Sequence, residues 1–152
     1  MDGVYLSLGS NMGDRAQYLK QALKELEKNP RIRVIKTSSL YESEPWGIIS
    51  SNDQKFDWFL NQCVKIETSL EPLPLLSALE KIERKLGRTK KGEYKSRTID
   101  IDILLYADKV IDLLVLKVPH PFMTKRKFVL IPLFELDPKL RDPVSKKLLK
   151  RS

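Results

Sequence analysis

Two aspartates two residues apart are the residues of this chain best suited to chemistry. In "KSRTIDIDILLY", residues 95–106, Asp100 and Asp102 alternate with Ile99, Ile101, Ile103 and Leu105. That period-two pattern predicts a strand with both carboxylates on one face, about 7 Å apart. Aspartate is depleted in strands, and like charges on one face repel unless a cation lies between them. One reading is a solvated outer face. The other is a pair of hard oxygen ligands for Mg²⁺, an ion usually held by one or two carboxylates together with substrate phosphates. The preceding stretch "KLGRTKKGEYKSR", residues 85–97, carries six basic residues and one acidic one. A basic loop leading into a carboxylate pair suits a nucleoside triphosphate, with the loop on the phosphates and metal ions bridging them to the aspartates.

Bulk composition is compatible with that chemistry. The chain has 152 residues and 41% hydrophobic content, which predicts one domain over residues 1–152 with a substantial core. Lys and Arg number 28 against 20 Asp and Glu, and the net charge of +8 favours an anionic partner. No apolar run long enough to span a membrane occurs, and "MDGVYLSLGSN" lacks a signal-peptide pattern, so a cytoplasmic protein is expected. The single cysteine, Cys63, has no partner for a disulfide and reads as a buried structural thiol. The terminal "SKKLLKRS" reads as a solvated tail. There is no GxxxxGK[ST] loop, and "GSNMGD", residues 9–14, reads as a strand-to-helix turn.

The elements that must position these residues follow from periodicity. "GVYLSLG" predicts a strand, and "DRAQYLKQALKELEKN" a helix with Tyr18, Leu19, Ala22, Leu23 and Leu26 on one face. Asp14 is its expected N-cap, with Gln17 as capping-box partner. "IRVIKTSSLY" predicts a strand, "ESEPWGIISSNDQKFD" a polar loop, and "WFLNQCVKIET" another strand. After Pro72 and Pro74 comes a helix over "LLSALEKIERKL", stopped by Gly87. The basic loop and the aspartate strand follow. The order βαββαβ is the split βαβ, or ferredoxin-like, arrangement of the α+β class: a mostly antiparallel sheet with both helices on one face and the other face open. The aspartate strand is expected at the centre of this sheet. "VIDLLVLKVPHP", a helix across "TKRKFVLIPLFEL" and a proline-broken tail form a C-terminal extension around its edge.

The aspartate strand also resembles a family signature. "RTIDIDILL" is similar to the R-T-x-D-x-D-[ILM]-[ILM] run of 6-hydroxymethyl-7,8-dihydropterin pyrophosphokinases. "LGSN", "SSLYESEPWG", "FLN" at 59–61, "IERKLGR" at 82–88, "VPHP" at 118–121 and "FVLIPLFEL" at 128–136 resemble that family in the same order, over nearly the whole chain. The resemblance implies transfer of pyrophosphate from ATP to the hydroxymethyl group of the dihydropterin, releasing AMP, in folate biosynthesis.

On the same ground, Asp100 and Asp102 are expected to hold two Mg²⁺ ions, and Arg88 and Arg97 to handle the phosphates; these four are the expected catalytic residues. Glu80, Glu83, Arg88, Lys90, Arg97, Ile103, His120 and Arg126 would contact ATP. Phe59 and Phe128 would sandwich the pterin and Asn61 would read its edge, with Ser43, Glu44, Trp46 and Tyr94 completing the pocket. The implied partners are small molecules, not nucleic acid or membrane, with the next folate-pathway enzyme as a protein that could work beside this one. From the residues alone, Glu80 and Glu83 also fit a charged helix face, and Phe59 and Phe128 also fit a core.

Two other classes fit parts of the pattern. A ferredoxin-like RNA-binding module would use the positive charge and an open sheet, but the [KR]-G-[FY]-[GA]-F-V-x-[FY] run is missing, and the aspartates would repel phosphates without a metal. A metal-dependent phosphohydrolase would use the aspartates but generally wants more carboxylate or histidine ligands, and His120 is the only histidine.

Overall fold

A computed structural model describes residues 3–44, 58–87, 98–121, 123 and 126–149. In chain order the elements are β1 (Val4–Ser10), α1 (Arg15–Lys28), β2 (Ile32–Thr37), β3 (Tyr41–Ser43), β4 (Phe59–Thr68), α2 (Pro72–Lys85), β5 (Asp100–Tyr106), β6 (Ile111–Asp112), β7 (Lys117–Val118) and α3 (Lys127–Leu136). The helices start and stop where their local chemistry dictates. Asp14 caps α1, its Oδ1 accepting from Gln17 N at 3.2 Å, and Leu19, Ala22 and Leu26 repeat at helical spacing and are buried. In α2, Pro72 occupies the first turn, where a missing N–H costs nothing, and Leu75, Leu79 and Ile82 face the core. Gly87 ends the helix region at φ +106°, a conformation that side chains strain to adopt.

The main sheet has the order β2-β4-β1-β5, with β3 pairing on β4 beyond β2. Every pairing is antiparallel. This is the ferredoxin-like α+β fold expected from the element order. Among the described strands the aspartate strand, however, lies at the edge and not at the centre. Each βαβ unit leaves a one-strand gap between its parallel strands, and the gaps are filled by β4 and β1, so the first and third core strands are inner. The strand expected across "IRVIKTSSLY" is two strands. Ser38 separates them: its N–H donates to Cys63 O and its Oγ accepts from Cys63 N, both at 2.9 Å, so a side chain replaces one rung of the ladder.

Alternation sends Val4, Leu6 and Leu8 of β1, Val64 and Ile66 of β4, and Ile101 and Ile103 of β5 to one face, where they pack with the buried residues of α1 and α2. The opposite face is not open over its whole length. Val129, Leu130, Leu133 and Leu136 of α3 pack there against Tyr5, Cys63, Leu104 and Leu105. The apolar content of "FVLIPLFEL" had to be buried somewhere, and only this face offered apolar partners of its own, so the C-terminal extension forms a third layer instead of skirting the edge. A bulge between β1 and β5 at Tyr5/Leu6 lets both Leu104 and Leu105 join that second core. Cys63 is buried as expected, with its Sγ donating to Val129 O at 3.6 Å, and burial pushes its thiol far above the ordinary range. Among the described residues, no helix is long and apolar enough to cross a membrane.

Candidate active site

Among the described residues helix α3 covers only part of its face, and the rest collects the candidate chemistry. Asp100 and Asp102 follow Ile99 and precede Leu104 on β5; because Ile99, Ile101 and Ile103 point to the helices, the aspartates point the other way, and both are half-buried. Register extends the row across the sheet: Gly9 of β1 pairs with Asp100 on one side and with Asn61 of β4 on the other, and Asn61 pairs with Tyr41 of β3. With strands spaced about 4.8 Å apart, Asp100 and Asn61 lie about 10 Å apart on one surface. Phe59 pairs with Ser43 one step further along.

The polar end of this row is tightly built. Asn61 is buried, and its Nδ2 donates to Ser43 Oγ at 2.8 Å and to Tyr41 O at 3.2 Å. Its Oδ1 lies beside Gly9, where an added Cβ would sit 3.3 Å from that oxygen and 3.3 Å from Phe59 Cδ1. Gly9 is therefore the floor of a shallow cradle between the aspartates and the Phe59–Asn61 pair. Arg15 braces the rim, donating from Nη1 to Trp58 O at 3.0 Å and from Nη2 to Glu42 Oε2 at 2.9 Å. A second brace comes from α3. Glu135 Oε2 accepts from Ser39 N at 2.9 Å and Ser39 Oγ at 3.1 Å, while Oε1 accepts from Tyr41 OH at 2.5 Å. The tyrosine and serine bonds hold the Glu135 carboxyl below its ordinary range.

The N-terminal end of α3 brings two further residues to this side. Phe128 packs half-buried against the second core, and the Arg126 guanidinium lies 5.7 Å from its ring centre. Pro132 carries no N–H, so the Phe128 carbonyl, four residues earlier, lacks its usual helical donor. His120 follows the β6–β7 hairpin and is fixed against β5 by its N–H on Leu104 O at 3.0 Å.

The structure therefore brings Asp100, Asp102, Asn61, Phe59 and Ser43 to one surface, with Arg126, Phe128 and His120 on segments packed against it. Glu44 is exposed at the end of β3, and Glu80 is half-buried on α2. Ile103 faces away, in the helix-side core at 3% exposure. Glu83 is 2% exposed, and its Oε2 accepts from Ile101 N at 2.7 Å. Trp46, Arg88, Lys90, Tyr94 and Arg97 lie outside the described residues. Sequence reasoning missed Gly9 and Glu135. The alternation of Val4, Leu6 and Leu8 already places Gly9 on the aspartate face, so its signal was present; that of Glu135, one charge on a helix, was not distinctive.

Two half-buried carboxylates with hard oxygen donors, beside a glycine-floored surface, suit Mg²⁺. Among the described residues no group of three or more His, Cys, Asp or Glu is placed to hold a metal ion. A pair of ligands leaves coordination sites for phosphate and water, which matches how Mg²⁺ binds and not how a closed structural site is made.

Residues 5–138 match the 7,8-dihydro-6-hydroxymethylpterin-pyrophosphokinase (HPPK) family. This chain belongs to that family. The 2-amino-4-hydroxy-6-hydroxymethyldihydropteridine pyrophosphokinase of Aquifex aeolicus is 44% identical over 150 residues, 99% of this chain and 89% of that protein. The enzyme of the same name from Bacillus subtilis is 46% identical over 133 residues, 88% of this chain and 77% of that protein. The bifunctional protein FolKE of Lactococcus lactis is 44% identical over 136 residues, 90% of this chain and 38% of that protein. Among solved structures, Plasmodium falciparum HPPK-DHPS with pteroate superposes with a TM-score of 0.73 at 18% identity, over 98% of this chain and 42% of that one. At that identity the likeness speaks for the fold alone, and this chain spans less than half of the Plasmodium chain.

Proposed function

We propose that residues 1–152 act as one domain that transfers the terminal pyrophosphoryl group of ATP to the hydroxymethyl oxygen of 6-hydroxymethyl-7,8-dihydropterin, in folate biosynthesis, with Mg²⁺ held by Asp100 and Asp102. Membership of the HPPK family supports the reaction. The observation that carries the residue assignment is the register of Asp100, Gly9 and Asn61 across three adjacent strands.

In this reading the pterin lies over Gly9, stacked by Phe59 and Phe128, with Asn61 hydrogen bonding to its edge. The bonds of Asn61 Nδ2 to Ser43 Oγ and Tyr41 O leave its Oδ1 directed at the Gly9 surface, as an acceptor for a ring N–H. Arg126 and His120 contact the nucleotide, Arg88, Lys90 and Arg97 bind the phosphates, and Tyr94 belongs with Ser43, Glu44 and Trp46 to the pterin pocket. Two Mg²⁺ ions at Asp100 and Asp102 would neutralise the triphosphate and lower the barrier to attack at its β-phosphorus. The chain's own task is positioning. The hydroxymethyl oxygen forms the new bond to the β-phosphorus and gives its proton to solvent, the bond between the β-phosphorus and the α–β bridging oxygen breaks, and AMP departs with that oxygen. About 10 Å between Asp100 and Asn61 accommodates a ring plus its hydroxymethyl arm. The bifunctional relatives support a chain that works beside another enzyme of the pathway.

The test is Asp100→Asn and Asp102→Asn, assayed for AMP release and for binding of a non-hydrolysable ATP analogue with and without Mg²⁺. Activity is expected to fall at least ~10²-fold, with the Mg²⁺ dependence of analogue binding reduced and the fold intact. Near-normal turnover in both variants would rule out the metal assignment.

A further inference from the structure

The edge placement of β5 raises a problem that the structure answers. An edge strand has one row of backbone donors without a neighbouring strand, and a buried donor must still be satisfied. In the antiparallel ladder with β1, Ile101 pairs with Leu8, while its two neighbours Asp100 and Asp102 pair with Gly9 and Ser7. Alternation of the ladder puts consecutive N–H groups on opposite edges. The Ile101 N–H does not face β1: it donates to Glu83 Oε2 at 2.7 Å. A carboxylate at 2% exposure is costly to bury, and charge-assisted bonds to backbone donors are what make such burial tolerable.

We propose that Glu83 is a positioning residue for the aspartate pair: from α2 it clamps the Asp100–Ile101 peptide, the first of the two that link Asp100 to Asp102, fixing the twist of β5 so that both carboxylates face the substrate side. The inference rests on the reading of Asp100 and Asp102 as the Mg²⁺-holding pair. It assigns Glu83 an action through the strand, where family resemblance suggested contact with the nucleotide. The same clamp explains why an edge strand can carry two repelling charges without fraying, since its outer donor at the midpoint is anchored to a buried helix face containing Leu79 and Ile82.

Three measurements test it. In the unsubstituted metal-free protein, amide hydrogen exchange at Ile101 is expected to be as slow as in β1, although β5 is an edge strand. Glu83→Ala should speed that exchange at least ~10-fold and raise the Mg²⁺ midpoint for binding a non-hydrolysable ATP analogue by ~10- to 100-fold, the scale for losing a group that orients a metal ligand. Analogue affinity without Mg²⁺ should change less than about threefold. Glu83→Gln keeps an acceptor oxygen and should restore most of both effects; should the alanine variant fail to fold, Ile101 exchange in the unsubstituted protein remains the deciding measurement. Fast Ile101 exchange in the unsubstituted protein would overturn the clamp, as would an unchanged Mg²⁺ midpoint in Glu83→Ala. A loss of metal-free nucleotide affinity equal in the Ala and Gln variants would instead make Glu83 a nucleotide contact. If Asp100→Asn and Asp102→Asn leave Mg²⁺ dependence untouched while Ile101 remains protected, the metal assignment fails and the clamp stands.

Discussion

Gly9→Ala is the smallest change that tests the cradle. The new methyl carbon would lie 3.3 Å from Asn61 Oδ1, 3.3 Å from Phe59 Cδ1 and 3.9 Å from Phe59 Cε1. Contacts near 3.3 Å are tighter than ordinary packing, so one neighbour must shift by a few tenths of an ångström. Asn61 is 3% exposed and held by two hydrogen bonds, so it resists; the half-buried Phe59 ring gives way. Gly9 has no left-handed backbone, and an alanine there narrows the unfolded ensemble by ~0.4–1 kcal/mol. Crowding costs on the order of 1 kcal/mol, the low end of the overpacking range. Stability should therefore change by less than ~1 kcal/mol, a melting shift within about 4 °C. If Phe59 stacks on the pterin as proposed, its displacement removes ~1–2 kcal/mol of the ~1–3 kcal/mol a base–aromatic stack provides. That is roughly a 5- to 30-fold loss of pterin affinity. Calorimetric titration with a pterin analogue, set beside an ATP analogue and a melting curve, reads all three quantities. Pterin affinity unchanged at an intact melting temperature would refute the cradle, and an equal loss for both ligands would point to a general distortion of the sheet.

Other predictions concern the supports of the site. Glu135 has its carboxyl pKa lowered from 4.5 by Tyr41 and Ser39, so its stabilising contribution is present above about that value and disappears as pH falls through the lower folded value. The melting temperature of Glu135→Gln should thus trail the parent at neutral pH and converge with it in acid below pH 4.5; a gap that persists or widens in acid would contradict the assignment. Pterin KM should rise in Glu135→Gln with ATP KM unchanged, because one of the two acceptor oxygens that hold Ser39 and Tyr41 becomes an NH2 group and loosens β3. Cys63, 1% exposed and with its thiol pushed up by burial, should resist a thiol reagent at pH 8 until the chain unfolds. Labelling faster than global unfolding would show that α3 opens independently.

How much of this was legible in the sequence depended on whether the signal was local. The aspartate alternation, the Asp14 cap and the Gly87 stop are set by a few adjacent residues, and each is found where the pattern put it. Glu83 illustrates the converse. Within "EKIERK" it resembles any charged residue on a helix face, and no local property distinguishes a carboxylate 2% exposed against a strand from one in water.

What the sequence determined by itself was the βαββαβ order of the core and the family, because periodicity, capping residues and spaced motifs are properties of neighbouring positions. It also determined that Asp100 and Asp102 share a face, since the two-residue repeat of a strand leaves no alternative. The tertiary structure alone decided that β5 is an edge strand, that α3 packs on the second face, and that Gly9 faces both Phe59 and Asn61. These depend on which strand fills the gap of each βαβ unit and on which apolar surface remains for α3, and both are settled by burial summed over contacts between residues far apart in the chain.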